Sequence, residues 1–241
     1  MAVVDYLNAI KVSNRIFQID SQGRLGSAFQ DVATIELPAV DEFRTNELAD
    51  AMALAPLDDA LLEDLSAAIV VDIGANLDAR VATFAVSGGW DSEAQEVGRD
   101  VVVFTPFLLD SDSILLAART ARRMAVAFPT ARFIPVACLT EARFSGFPTV
   151  DMKQVFEDGF GKLANTETML LHPPIYSSAL RLLEASGSTP QRFIDLDPRF
   201  LEPVVGLPRA AIRQAQGDMA SYVVALREGL QRVLPFRGPQ D

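Results

Sequence analysis

The segment AIVVDIGA, residues 68–75, joins an apolar run to a carboxylate, Asp72, at its end. Apolar runs of this length, bounded by turn residues, are typical of strands that are buried on both faces of a parallel sheet. The segment RIFQID, residues 15–20, repeats the pattern and ends in Asp20. Both segments therefore predict core strands that carry a carboxylate to the carboxyl edge of a sheet, where doubly wound sheets bind ligands.

Helices and strands alternate around these two segments. Val3, Val4, Leu7 and Ile10 recur at helical spacing and predict an opening helix. This alternation predicts a single α/β domain over residues 1–241, with a doubly wound, mostly parallel sheet covered by helices on both faces. We predict further strands at 34–38, 100–105, 132–139 and 168–171, two acidic helices broken near Pro56 within 45–66, and helices at 76–86, 111–127, 150–160, 175–185 and 208–233.

Composition narrows the class of protein. The chain has 241 residues, of which 49% are apolar, so it can bury one sizeable core. Cys138 is its only cysteine, which excludes a disulfide framework and fits a reducing compartment. No apolar run approaches the roughly 18–20 residues that a membrane helix needs. We therefore expect a cytoplasmic protein without integral membrane association.

Acidic residues are concentrated in one part of the chain. The net charge is −11, but residues 31–72 alone hold eleven acids and one base, Arg44. The remainder is close to neutral, so the net charge does not exclude a DNA-binding face. Arg119, Arg122 and Arg123 fall on one predicted helix and could contact DNA or a second subunit; a solvated helix face is the alternative.

The order of the motifs resembles the ParA/MinD-type partition ATPases, a group of P-loop NTPases with a deviant Walker motif. A helix is followed by IDSQGRLG (19–26), by VVDIGA (70–75) and by DVVVFTPFLLDSDSILLAARTARR (100–123). The resemblance implies ATP and Mg²⁺ as cofactors. It also implies a homodimer that switches binding to non-specific DNA or to a DNA-bound adaptor protein.

The resemblance assigns roles near the metal. Asp72 matches the Walker B acid, which orients Mg²⁺ through water, and Asp20 matches the first acid of the second-strand motif, also near Mg²⁺. The family usually has a further acid two residues later, which positions the attacking water. Gln22 stands there in this chain, and an amide can orient water but cannot take its proton.

The resemblance also assigns positions around the nucleotide. Thr105 and Pro106 fall where the next strand of the family ends beside it. Family members often place an asparagine at the end of the following strand to bind adenine. Cys138 or Thr140 occupies that position here.

One family motif is missing from the sequence. The family begins with a strand and a loop of the form KGGVGK[ST], but no GxxxxGK[ST] pattern occurs, and the only lysines are Lys11, Lys153 and Lys162. A parallel sheet without that central strand is expected to expose unpaired edges. One explanation is a start codon assigned too late, in a natural protein longer by about 15–20 residues. The other is a pseudo-ATPase that kept the fold and lost the nucleotide.

Two functions therefore remain open. The first is a ParA/MinD-like nucleotide switch for plasmid or chromosome partition, mobilisation or cargo positioning. The second is a nucleotide-free scaffold that binds a partner protein. His172, the only histidine, is interpreted as an ordinary loop residue, and nothing in the spacing supports a nucleophilic pair with Cys138. The amphipathic stretch 221–236 is interpreted as a docking helix rather than a membrane anchor.

Overall fold

The computed structural model describes residues 2–20, 25–29, 31–39, 46, 48–63, 67–140 and 144–234. Its strands are β1 (Asn14–Ile19), β2 (Val32–Ile35), β3 (Ala68–Ile73), β4 (Val102–Leu108), β5 (Arg132–Cys138) and β6 (Leu170–His172). Its helices are α1 (Ala2–Ala9), α2 (Ala49–Glu63), α3 (Asp78–Gly88), α4 (Trp90–Glu96), α5 (Ser111–Ala127), α6 (Val150–Phe160), α7 (Ser177–Ser186), α8 (Pro190–Asp195), α9 (Pro198–Val205) and α10 (Arg209–Val233), with a short 3-10 turn at Leu25–Ser27.

The strands form two three-stranded sheets, and every pairing within them is parallel. The first sheet has the order β2-β1-β3 and the second has the order β4-β5-β6. The predicted α/β class with parallel strands is confirmed. Among the described residues the strands form two sheets, and no strand pairing joins β3 to β4.

Both sheets belong to one layer between two layers of helices. On the first face, Phe17 of β1 and Phe133 of β5 share a core with α2–α6. On the second face, Val70 of β3 and Ile134 of β5 pack into a core formed with α1 and α7–α10. Since strands of both sheets contribute to both cores, the two sheets lie side by side.

The side chains of β3 and β4 alternate between these two cores. In β3, Ile69 and Val71 pack on the first face, whereas Val70 packs on the second. In β4, Val103 packs on the first face and Phe104 on the second. This alternation is the pleat expected of a strand with a helical layer on each face. Nevertheless, β3 and β4 are each an edge strand of their own sheet.

The long helices form where the sequence predicts them. The predicted helices 111–127 and 150–160 are confirmed as α5 and α6. Asp110 caps α5 by accepting a hydrogen bond from the Ser113 backbone N–H at 2.8 Å. Gly159 permits close packing of α6 on α5, because a Cβ atom there would lie 2.7 Å from the Cβ of Ala118.

The interpretation of Pro56 as a helix break is wrong. Ala49–Glu63 is one helix with Pro56 inside it. Proline removes the hydrogen bond to the carbonyl four residues earlier, which belongs to Met52. Met52 is 71% exposed, so water can satisfy that carbonyl, while the buried side chains of Leu54 and Leu57 hold the helix on the core.

The C-terminal helix docks on the protein as predicted. Tyr222, Val223, Leu226 and Leu230 of α10 are buried in the second-face core. Among the described residues, no helix combines the length and the hydropathy that crossing a membrane requires.

Candidate functional site

The two predicted metal ligands lie at the carboxyl ends of hydrogen-bonded neighbours. Gln18 of β1 is the register partner of Asp72 in β3, and Asp20 directly follows β1. The Gly74 N–H donates to the Ile19 carbonyl at 2.8 Å, which extends this pairing past both strands. The structure thus brings Asp20 and Asp72 to one edge of the first sheet, with Asp72 exposed and Asp20 half-buried.

Gly74 allows the backbone after β3 to pass close to Asp20. A Cβ atom on Gly74 would lie 3.0 Å from the Cγ of Asp20 and 3.1 Å from the Ile19 carbonyl oxygen. Any larger residue must therefore displace one of these groups. The glycine of VVDIGA thus has a steric role at this edge.

Gln18 is a buried polar residue that sequence analysis did not single out. Its side chain is 0% exposed, and its Oε1 accepts a hydrogen bond from the Leu25 backbone N–H at 2.9 Å. Its Nε2 has no hydrogen-bond partner among the described residues. A buried amide left unpaired costs about 1–3 kcal/mol. The signal was available, because a glutamine interrupts the apolar run of IFQID next to the position of Asp20.

The two carboxylates fit Mg²⁺ in part. Hard oxygen ligands suit this ion, which is usually held by one or two carboxylates together with substrate phosphates and water. Within the described residues, no group of three or more His, Cys, Asp or Glu side chains is arranged to hold a metal by itself. An all-protein metal cage is therefore not formed there. Gln22, the predicted water-positioning residue, lies outside the described residues.

The predicted nucleotide-binding residues of β4 have different environments. Thr105 is 2% exposed, and its Oγ1 has no hydrogen-bond partner among the described residues. Pro106, the next residue, is exposed. A ligand outside the carboxyl edge could touch Pro106, whereas Thr105 belongs to the interior of the layer.

Cys138 and His172 are register partners at the ends of β5 and β6, so the structure brings together two residues whose sequence spacing gave no such indication. His172 ends a strand, and its interpretation as a loop residue is wrong. Its Nε2 is 2.9 Å from the hydroxyl of Tyr222 on α10. Thr140, the alternative to Cys138 for contacting adenine, is exposed beyond the end of β5.

Burial keeps the Cys138–His172 pair uncharged near neutral pH. It raises the pKa of the Cys138 thiol and lowers the pKa of the His172 imidazole. Burial also raises the pKa of the Tyr222 hydroxyl above its usual range. A nucleophilic cysteine needs a lowered pKa or a protonated neighbour. The environment of this pair therefore opposes nucleophilic catalysis and suits a packed polar contact.

The lysines do not replace a phosphate-binding loop. Lys11 lies in the turn between α1 and β1, at the amino edge of the first sheet. Lys153 pairs with Glu157 at 3.5 Å, and Lys162 pairs with Asp158 at 2.9 Å. The carboxyl edge around Asp20 and Asp72 thus receives no lysine from the described residues.

Several arginines make contacts within the protein. Arg122 donates to the Asp158 carbonyl at 2.6 Å, and Arg123 donates to the Asp78 carboxylate at 2.5 Å. Arg119 is exposed on the same helix. Two arginines of the predicted basic group on α5 therefore hold α5 to the neighbouring helices.

Comparison with protein-family models, curated proteins and solved structures gives no significant match to this chain. The resemblance to the ParA/MinD-type ATPases therefore rests on the order of motifs along the sequence, and on the carboxylates that the two neighbouring strands carry to one edge.

Proposed function

We propose that this protein is a ParA/MinD-like nucleotide-switch protein that engages Mg²⁺ and ATP at the carboxyl edge of β1 and β3. The observation that carries the proposal is that Asp72 lies in β3 and Asp20 directly follows β1, the adjacent parallel strand. Carboxylates at this edge of a doubly wound sheet are suited to hold Mg²⁺ and its waters beside nucleotide phosphates. The close approach of Gly74 to Asp20 supports a compact site.

Each residue has a separate role in this proposal. Asp72 would hold Mg²⁺ through water, and Asp20 would help to hold the hydrated ion; the ion would supply positive charge for the phosphates. Gln22 orients the attacking water without taking its proton. Pro106, Cys138 at the end of β5 and Thr140 beyond it border the nucleotide on the side of the second sheet.

The protein offers fewer groups to bind the phosphates of ATP than to bind Mg²⁺. Backbone N–H groups of a glycine-rich loop and a lysine normally supply most phosphate binding. The sequence contains no such loop, and Lys11 lies at the opposite edge. We therefore expect weak nucleotide binding, and ATP hydrolysis at or near background, from the chain alone.

The switch would act in partition, mobilisation or cargo positioning. A nucleotide held between two copies would favour a homodimer, and the dimer would bind DNA or a DNA-bound adaptor. Arg119 is the exposed arginine of the α5 group. An Arg119→Ala variant is expected to weaken DNA binding if α5 forms part of the DNA-binding face.

A nucleotide-free scaffold is the second candidate. The absence of a described lysine at the carboxyl edge favours it, because two carboxylates without a cation repel a polyphosphate. In that case the protein would bind a partner protein whether or not ATP is present.

Calorimetric titration distinguishes the two candidates. Mg·ATP is titrated into the full chain, with ADP and metal-free ATP as ligand controls. The switch predicts Mg²⁺-dependent ATP binding with a Kd on the order of 0.1–1 mM, lost in Asp72→Asn. Asp151→Asn is the matched control, since Asp151 is exposed at the start of α6. Absence of Mg²⁺-dependent binding at millimolar ATP would overturn the switch and favour the scaffold.

A further inference from the structure

A cleft of about 400 Å³ lies among α1, α8 and α10, the helices of the second face. Sites for small ligands typically measure about 300–1,000 Å³, so the cleft has the size of such a site. Asp5 of α1 and Arg227 of α10 line it, whereas Asp20 and Asp72 are not among the described residues that do so. We propose that the cleft binds a free aliphatic α-amino acid, with its ammonium group on Asp5 and its carboxylate on Arg227.

The side chains of Asp5 and Arg227 line the same cleft without a direct hydrogen bond to each other. Burial raises the pKa of Asp5 to about 6, and the positive charge of Arg227 opposes this increase, so the two groups lie near each other. Two opposite charges that are close but not in contact can be bridged by a ligand that carries both complementary charges. A ligand with a single charge can neutralise only one of them.

Contacts with α8 fix the side chain of Arg227. Its Nη2 donates to the Gln191 Oε1 at 2.8 Å, and the Gln191 Nε2 donates to the Asp195 carboxylate at 3.0 Å. The Nε of Arg227 has no hydrogen-bond partner among the described residues. The protein therefore satisfies only part of the guanidinium. A carboxylate is the anion that best matches the planar array of guanidinium donors, so the donors that remain suit the carboxylate of a ligand.

A second cavity, of about 60 Å³, shares Asp5 and Arg227 with the cleft. Most of its lining is apolar and includes Leu183, Val223 and Leu226. One water molecule needs roughly 10–15 Å³ and at least two polar partners, so this cavity has more room than one water requires and few groups to bind it. Because Asp5 and Arg227 line both cavities, a ligand held by these residues can extend an aliphatic side chain into the apolar one.

The charges that line the cleft are balanced, which favours a ligand without net charge. Asp5 and Asp195 are acidic, and Arg192 and Arg227 are basic. A polyanion such as a nucleotide would be repelled by the two carboxylates, and a polyamine would be repelled by the two guanidinium groups. A zwitterion avoids both penalties, because each of its charges has an opposite charge to meet.

Calorimetric titration of the full chain with L-leucine and with L-valine tests the proposal. Isopentylamine keeps the ammonium group and the alkyl chain of leucine but lacks the carboxylate, whereas isocaproate keeps the carboxylate and the chain but lacks the ammonium group. Glycine keeps both charges but lacks the side chain. Each of these three controls is expected to bind at least tenfold more weakly than leucine, because each loses one of the three contacts. No nucleotide is added, so the result does not depend on the proposed nucleotide switch.

Two variants test the assigned contacts at pH 8, where Asp5 is ionised. Asp5→Asn and Arg227→Gln are each expected to weaken leucine binding at least tenfold. The matched controls are Asp151→Asn and Arg213→Gln, since both side chains are exposed and lie outside the cleft. Urea denaturation of each variant shows whether it is folded.

A comparison of two ligands separates a contact at Asp5 from a structural effect. Asp5→Asn is expected to leave isocaproate binding unchanged and to abolish the preference for leucine over isocaproate. Equal binding of leucine and isocaproate to the parent protein would overturn the proposal. So would equal binding of leucine to Asp5→Asn and the parent, or no binding of leucine and valine at millimolar concentration.

Discussion

Gly74 lies against Asp20, and a Cβ atom at Gly74 would come within 3.0 Å of the Cγ of the aspartate. Gly74→Ala is therefore expected to displace the Asp20 carboxylate and to lower the free energy of unfolding by about 1–2 kcal/mol. It should also weaken Mg²⁺-dependent ATP binding. Calorimetry and urea denaturation check the two effects. Gly26→Ala is the control, because a Cβ at Gly26 meets no atom within 4 Å; equal effects of both variants would contradict the assigned role of Gly74.

Two helical glycines should respond in opposite directions to alanine. Gly159→Ala is expected to destabilise the protein by about 1–3 kcal/mol, because the new Cβ would lie 2.7 Å from the Cβ of Ala118. Gly217→Ala in α10 meets no atom within 4 Å and should stabilise the helix by about 0.5–1 kcal/mol. Urea denaturation of both variants measures the difference. Equal shifts in one direction would show that α5 and α6 do not pack as closely as described.

Asp5 should make stability fall as the pH rises. Burial raises the pKa of Asp5 to about 6, and the positive charge of Arg227 opposes this increase. The folded state thus binds the proton more tightly than the unfolded state. The contribution of protonated Asp5 to the free energy of unfolding is fully present below about pH 4 and is lost as the pH rises through about 6.

Asp5→Asn is the corresponding test. Asparagine cannot ionise, so the variant should be more stable than the parent at pH 8, by roughly 1–3 kcal/mol. The two proteins should differ little at pH 4. Urea denaturation at several pH values gives the difference, and Asp151→Asn controls for a general effect of net charge. If the two proteins differed in free energy of unfolding by the same amount at every pH, ionisation of Asp5 would be excluded as the cause of the difference.

His172 offers a probe of the second sheet. It is the only histidine, so its ring proton resonance can be followed by NMR without assignment. Burial should place its titration midpoint below 6.5, the usual value for the side chain. A titration in concentrated urea should return the midpoint to that value. A native midpoint at or above it would mean that His172 is more exposed to water than its contact with Tyr222 indicates.

Apolar patterning was sufficient for most elements of the fold. Uninterrupted apolar runs identify the buried strands, and the 3.6-residue period identifies α5, α6 and α10. The short helices α4, α8 and α9 are not predicted from the sequence, although α8 and α9 each begin with a capped proline. Thr189 precedes Pro190 and Asp197 precedes Pro198, and each side chain accepts a hydrogen bond from a backbone N–H of its first turn. Their few residues carry too little periodicity for pattern analysis.

The division of the sheet could not be obtained from periodicity. Strand order depends on which edges meet in space, and β3 has the same apolar pattern whether it is paired on one side or two. The pairing of Cys138 with His172 is also a matter of register between strands that a helix separates. By contrast, Asp20 and Asp72 can be predicted, because each carboxylate comes at the end of an apolar run that identifies a strand.

Arg99 has a mechanical consequence for the divided sheet. It fastens the amino ends of β3 and β4 through the Ala67 carbonyl, and it also donates to the Leu61 carbonyl at 2.9 Å. At the opposite end, no strand hydrogen bond holds β3 to β4 among the described residues. A rotation of one sheet relative to the other would therefore be opposed by hydrogen bonds at the amino ends and by the packing of the two cores elsewhere. A change in the angle between the two sheets would move Asp72 relative to Pro106 further than it would move Ala67 relative to Arg99.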